Sequence, residues 1–187
     1  MSRPNLHVAL IHHPVVSKNG DIIASAVTNL DLHDIARTSK TYGVRSFYVV
    51  TPLKDQAELV DKIVAHWVTG DGGDYNPLRR EALLLIRVKG SYEDVLADIR
   101  QQENKKPITV ATSARARPPL LSFEKFKGLL DKGAPVVLAL GTAWGLAETF
   151  IEQSDYVLEP LQGSTDYNHL PVRSAAAIML DRVLGCR

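Results

Sequence analysis

The positions in this chain best suited to ligand chemistry are turn residues at the ends of apolar runs. Val136 to Leu140 is a short apolar run bounded by Pro135 and Gly141, the length and punctuation of a buried strand. Gly141 and Gly145 then mark a strand-to-helix turn, where glycine lets the backbone close on a ligand and bare its amides. A second run, Tyr156 to Leu158, ends at Pro160 and opens into a mostly polar loop, Leu161 to His169. Asn168 stands just ahead of a final helix expected over about residues 170–184, whose start its side chain would cap. An earlier run, Ile108 to Ala111, ends in Thr112 and Ser113, with Arg115 and Arg117 just beyond. In an open α/β sheet, ligands sit beyond the carboxyl ends of the strands. The loops after Leu140 and Leu158 therefore propose a pocket.

Other chemistries lack their signatures. HHPVVSKNG follows the first strand where a dinucleotide binder would carry G-x-G-x-x-G, so no tight turn brings a pyrophosphate to a helix N-terminus. The second strand ends in Thr51-Pro52, not in an acid that would grip a ribose. Neither a phosphate-binding G-x-x-x-x-G-K-[ST] nor a G-x-S-x-G nucleophile elbow is present. His12 and His13 are adjacent, so on a strand they point to opposite faces. No H-x-x-x-H or C-x-x-C accompanies them, and no metal is expected.

Bulk properties narrow the classes further. The net charge of +1 does not mark a nucleic-acid binder, so RNA contact would need basic residues gathered locally. The glycine-rich stretch Thr69 to Pro77, with Arg79 and Arg80 after it, is one place where that is expected. Cys186 is the sole cysteine; it excludes an internal disulfide and fits a reducing cytoplasm. No apolar run approaches the ~18 residues of a membrane span. The opening MSRPNLHVALIHHP has too short an apolar stretch for a signal peptide and no small-residue cleavage site. With 187 residues, 45% apolar and 23% charged, the chain suits one soluble domain spanning 1–187.

The elements that must hold these residues alternate along the chain. Strands are expected at Leu6–Ile11, Val44–Val50, Ala82–Val88, Ile108–Ala111, Val136–Leu140 and Tyr156–Leu158. Helices are expected at Leu30–Tyr42, capped by Thr28 or Asn29 and stopped by Gly43, and at Leu53–Trp67, with Thr51 as cap and Pro52 at its first position. Ser91 and Asp94 form a capping box for Tyr92–Gln102. Ser122 caps Phe123–Leu130, and a shorter helix covers about Leu146–Gln153. Asn19-Gly20 marks a turn, and Thr69–Pro77 reads as a mobile loop. Six strands alternating with helices predict an α/β fold, a mostly parallel sheet covered by helices on both faces.

With those residues in view, the chain resembles a known family. The arrangement LALG-x-x-x-GL, then LEPLQG, then YNHLPVRSAAAIML, looks like the three cofactor-binding loops of the SPOUT (α/β-knot) RNA methyltransferases, the superfamily of the SpoU and TrmD enzymes. The likeness is closest to a small stand-alone bacterial group related to the TrmD-type domain. TNLDLHDIARTSKTYGV is similar to the SpoU pattern in which an Asn precedes a helix bearing Arg-Thr before a Gly. The resemblance covers nearly the whole chain.

It implies S-adenosylmethionine as cofactor, tRNA or rRNA as substrate, a homodimer, and a C-terminal trefoil knot made by threading the last helix. A knot runs against the general rule that chains do not thread loops and rests on the family likeness alone. The resemblance assigns Thr112, Leu140, Gly141 and Gly145 to the cofactor. Leu158, Pro160, Leu161 and Gly163 would wall the adenine, which needs flat apolar contact and a few backbone partners. Asn168, Leu170 and Ser174 would close over the methionine part. Arg37, with Asn168, would be catalytic, a fixed cation stabilising an oxyanion as it develops. The bland readings are ordinary turns, a capping Asn168, and an Arg37 on the helix surface paired with Asp34. Methylation at a base nitrogen or at a ribose 2′-hydroxyl stays open. So do two rivals: a non-catalytic module that binds cofactor and RNA, and a Rossmann-type nucleotide enzyme.

Overall fold

The computed structural model describes residues 4–186. The first three residues of the stretch weighed above as a signal peptide thus lie outside the described residues. Seven strands form the main sheet: β1 (Leu6–Ile11), β4 (Ser46–Val50), β5 (Ile86–Lys89), β6 (Ile108–Thr112), β7 (Leu120–Leu121), β8 (Val136–Gly141) and β9 (Tyr156–Leu158). Their order is β5-β4-β1-β8-β6-β9-β7, and every pairing within it is parallel. A separate hairpin joins β2 (Val15–Val16) to β3 (Ile22–Ile23). The helices are α1 (Asn29–Thr41), α2 (Lys54–Val68), α3 (Asp71–Tyr75), α4 (Pro77–Leu83), α5 (Tyr92–Glu103), α6 (Phe123–Asp131), α7 (Glu148–Glu152) and α8 (Val172–Leu184).

The central strands are apolar along their whole length because both their faces are covered. Leu6, Val8 and Leu10 of β1 and Val136, Leu138 and Leu140 of β8 pack with residues of α1, α2, α6 and α8. Ala9 and Ile11 of β1 and Val137 and Ala139 of β8 point the other way, onto Val95 and Ile99 of α5 and Phe150 and Ile151 of α7. β1 and β8 are neighbours in register, with Ile11 beside Gly141. The chain leaves β1 toward α1 on one face and leaves β8 toward α7 on the other. Adjacent strands that diverge in this way open a crevice at their carboxyl ends.

Several expectations need correction. Ala82–Val88 is not a strand throughout: α4 runs to Leu83 and β5 begins at Ile86. An apolar run of that length does not distinguish a helix end from a strand. Thr69–Pro77 is not a loop, because α3 lies within it. Gly72 and Gly73 sit against His66 and Trp67 so closely that a Cβ on Gly73 would meet the Trp67 carbonyl at 2.6 Å. Those glycines serve close packing rather than mobility. The cap of α2 is Leu53, without a side-chain hydrogen bond; the Thr51 hydroxyl instead accepts from the Leu53 amide at 3.3 Å. β7, a seventh strand of two residues, is too short for any periodicity to show.

Other local signals hold. The Thr28 side chain caps α1, accepting from the Asp31 amide. The Ser91–Asp94 capping box is formed, and Ser122 caps α6. Gly43 ends the first helix with φ 74°, and Gly20 turns the hairpin with φ 91°.

Candidate functional site

Four loops leave the carboxyl ends of the adjacent strands β1, β8, β6 and β9 and enclose one cleft of about 1130 Å³. Of the residues the resemblance assigned, Thr112, Leu140, Gly141, Gly145, Leu161, Asn168 and Leu170 line it. The loops far apart in sequence therefore meet in one place. Leu158, Pro160, Gly163 and Ser174 are not among the lining residues. Leu158 is buried in the core beneath. Arg37 also stands outside the cleft, on the exposed side of α1. Its supposed partner Asp34 is engaged by Arg173 instead, at 3.4 Å, and Arg173 reaches Asp31 at 3.3 Å as well. These pairs tie α8 to α1 beside the cleft.

Backbone bonds build the β1 and β8 side of the cleft. The Val16 amide donates to the Gly145 carbonyl at 2.9 Å, the Trp144 amide to Val16 at 3.1 Å, and the Ala147 amide to Pro14 at 3.2 Å. Gly141 is required by this fold-back, since a Cβ there would meet the Leu146 amide nitrogen at 2.6 Å. Gly145 carries φ 108°, a conformation costly for any residue with a Cβ. The two glycines thus act on the shape of the loop.

Beneath that loop runs a chain of side-chain hydrogen bonds. The Thr142 hydroxyl donates to the Ile11 carbonyl at 2.9 Å. With its one proton so placed, it must accept from Ser25 Oγ, 2.6 Å away. The Ser25 oxygen then accepts from His12 Nδ1 at 3.0 Å. Proton counting therefore assigns His12 the neutral tautomer that carries hydrogen on Nδ1. His12 is fully buried, and burial pulls its pKa down to about 4 against the opposing charge of Asp31. It is a permanent donor at neutral pH and holds Ser25 and Thr142, both lining residues, in fixed orientations.

The β6 and β9 side is more open. Thr112 Oγ1 donates to the Ala139 carbonyl at 2.9 Å, tying β6 to β8. Asn168 does not cap α8, whose N-cap is Pro171 with no side-chain bond. Its Nδ2 instead donates to the Ala114 carbonyl at 3.0 Å, clasping the β9 loop to the β6 loop. Arg117 pairs with Glu148 at 2.5 Å. Residues 162–171 are exposed throughout.

The donor set fits an adenosyl sulfonium. Leu140, Leu161, Leu170 and Met179 give apolar walls for the adenosine, and the Ser113 side chain gives a hydroxyl. Reading the sequence missed the hairpin side of the cleft, Val16 to Ala26, and Trp144 between the two loop glycines. The Asn19-Gly20 turn between Val15-Val16 and Ile22-Ile23 was the available signal of a hairpin. Nothing in the local sequence says that it folds onto the β8 loop.

Comparison with known proteins gives concordant results. Residues 5–185 match the model of a family described as SAM-dependent RNA methyltransferase. A protein of Oleidesulfovibrio alaskensis named tRNA (guanine-N(1)-)-methyltransferase is 44% identical over 181 residues, which are 97% of this chain and 42% of that protein. The chain thus spans less than half the length of that curated relative. An uncharacterized protein of Aquifex aeolicus is 34% identical over 186 residues, 99% of this chain and 91% of its own. Among solved structures, the SpoU methyltransferase AviRb of Streptomyces viridochromogenes in complex with AdoMet superposes with a TM-score of 0.58 at 18% identity, covering 98% of this chain and 58% of AviRb. At that identity the likeness is one of fold.

Proposed function

The chain belongs to the family of SAM-dependent RNA methyltransferases, and from that premise we propose that it methylates a nucleotide of tRNA. S-adenosylmethionine supplies an electrophilic methyl group on a sulfonium, a good leaving group. The protein therefore has little acid–base work to do; positioning the nucleophile in line with the methyl is the main demand. The observation that carries this reading is the meeting of four strand-end loops around one cleft. Leu140, Leu161 and Leu170 would pack on the adenosine and exclude water. Asn168 would hold the β6 and β9 loops together over the cofactor, and Thr112 would set the position of the β6 loop.

The choice of tRNA leans on the Oleidesulfovibrio relative. More than half of that protein lies outside the match, so guanine N1 does not transfer with the same weight as the cofactor. Calorimetry with S-adenosylhomocysteine, then transfer of tritiated methyl into total tRNA from a strain lacking the gene, tests the proposal. Nucleoside mass spectrometry then identifies the methylated atom. Failure to bind S-adenosylhomocysteine would sink it.

A second reading is favoured by one observation: Arg37 stands outside the cleft of its own chain. A single copy would then bind cofactor without catalysing. A homodimer reconciles the two. Leu30 is 61% exposed and lies seven residues before Arg37, hence on the same stripe of α1. Ile178 of the adjoining α8 is exposed as well. Pairing through these apolar residues would carry Arg37 toward the partner's cleft. Mixing Arg37→Ala with a variant unable to bind cofactor should restore about half of the activity in the mixed dimer, hence about a quarter in a random mixture, if Arg37 acts across the interface. The trefoil knot and a cytoplasmic location belong to the same reading. Force unfolding should stop short of a free chain's contour length if the last helix is threaded.

A further inference from the structure

The cleft holds more than the cofactor loops need. Pockets for small molecules run to roughly 300–1000 Å³, and this one, at about 1130 Å³, exceeds that range. Its hairpin side is chemically unlike the rest. Trp144 is 64% exposed there, although an indole is among the largest apolar surfaces a protein can bury. The backbone that carries it is fixed. Ala143 before it has φ 49° and Gly145 after it φ 108°, while its own amide is bonded to the Val16 carbonyl. Left-handed backbone at a residue with a Cβ costs free energy and persists only where the surroundings hold it. The loop is thus rigid while the side chain it presents is bare.

The surroundings indicate what the indole meets. Ile22, also exposed, lines the same side from the hairpin. Lys18 and Arg115 line the cleft with it, and among the described residues neither takes part in a salt bridge. A flat aromatic face with unpaired cations in one cleft matches a single-stranded nucleotide, whose base stacks and whose phosphates take the cations. An apolar protein partner would leave the cations unused.

We propose that Trp144 is the stacking platform for a nucleobase of the bound RNA, with Lys18 and Arg115 taking the flanking phosphates. The proposal rests on the methyltransferase reading and adds the subsite that holds the substrate. The chain has two tryptophans, so in a Trp67→Phe background the indole fluorescence reports Trp144 alone. Total tRNA, added with S-adenosylhomocysteine already saturating, should quench it; S-adenosylhomocysteine alone should leave it unchanged. Trp144→Ala should raise the tRNA concentration for half-saturation roughly 5- to 150-fold, the loss of one stacked base. Its affinity for S-adenosylhomocysteine should stay the same, and Trp144→Phe should recover most of the tRNA affinity.

Quenching by S-adenosylhomocysteine alone, with weaker cofactor binding in Trp144→Ala, would overturn the proposal and place the indole against the cofactor. Unchanged tRNA affinity in Trp144→Ala would overturn it too, even if methyl transfer proceeds. Should the wild type methylate no RNA, the functional reading fails separately, while tRNA quenching still decides whether Trp144 holds a base.

Discussion

The two sides of the cleft are built differently. On the β1 and β8 side, the hairpin and the loop after β8 are stitched by three backbone hydrogen bonds. A buried histidine roots them through Ser25 and Thr142. On the β6 and β9 side, the loops meet through the Asn168 amide on the Ala114 carbonyl, and residues 162–171 lie exposed. One wall is set before any ligand arrives. The other has few contacts of its own and stands to gain order from whatever enters. Binding that must order a loop costs affinity, whereas a pre-built wall does not. The contrast assigns specificity of shape to the first side and closure to the second.

The largest test of this contrast is acid. His12 is neutral in the fold with a pKa of about 4, and His7, buried on β1 just before it, is likewise pulled down by burial to about 4. Both take up a proton in the unfolded chain near 6.5. A depressed folded pKa makes stability complete above 6.5 and lost as pH falls from there through 4. Each histidine then accounts for about 3 kcal/mol over the full window. Urea midpoints at pH 7 and pH 4.5 check it, and His12→Asn should flatten the loss.

Next in size, Gly141→Ala should cost roughly 2–3 kcal/mol, because its Cβ overlaps the Leu146 backbone. Melting and S-adenosylhomocysteine affinity should both fall. If the substitution is silent, the rigid side is not rigid. His12→Leu should weaken S-adenosylhomocysteine roughly tenfold, about 1.4 kcal/mol. His12→Asn, which keeps a donor, should lose less.

On the open side, Asn168→Ala should cost about 1 kcal/mol of cofactor affinity, roughly fivefold, with the melting temperature unchanged. A drop in melting temperature would show that the β9 loop is part of the folded frame after all. Arg117→Ala breaks an ion pair whose partners are 33% and 55% exposed, so about 0.5 kcal/mol is expected.

The same contrast governs how much could be read in advance. β1 and β9 were legible residue for residue, because apolar runs of strand length bounded by Gly or Pro leave few alternatives. The capped starts of α1, α5 and α6 were legible too, since the side chains of Thr28, Ser91 and Ser122 find their partners three residues on. Family likeness placed the loops after β6, β8 and β9 together, and they do line one cleft. Asn168 was misplaced as a cap because its partner, Ala114, lies 54 residues away. The bland alternative for Arg37, a pair with Asp34, fails because Arg173, far along the chain, takes Asp34 instead.

What the sequence by itself determined, then, is local: the strand cores, the helix caps, and the turns that glycine permits. These depend on backbone preference and on partners within a few residues. Tertiary structure alone decided that the hairpin folds onto the β8 loop, that His12 orients Thr142 through Ser25, and that Trp144 is left bare at the mouth. Each of these joins residues separated by many positions. No local preference fixes such a pairing; it follows only once parallel strands bring their carboxyl ends side by side.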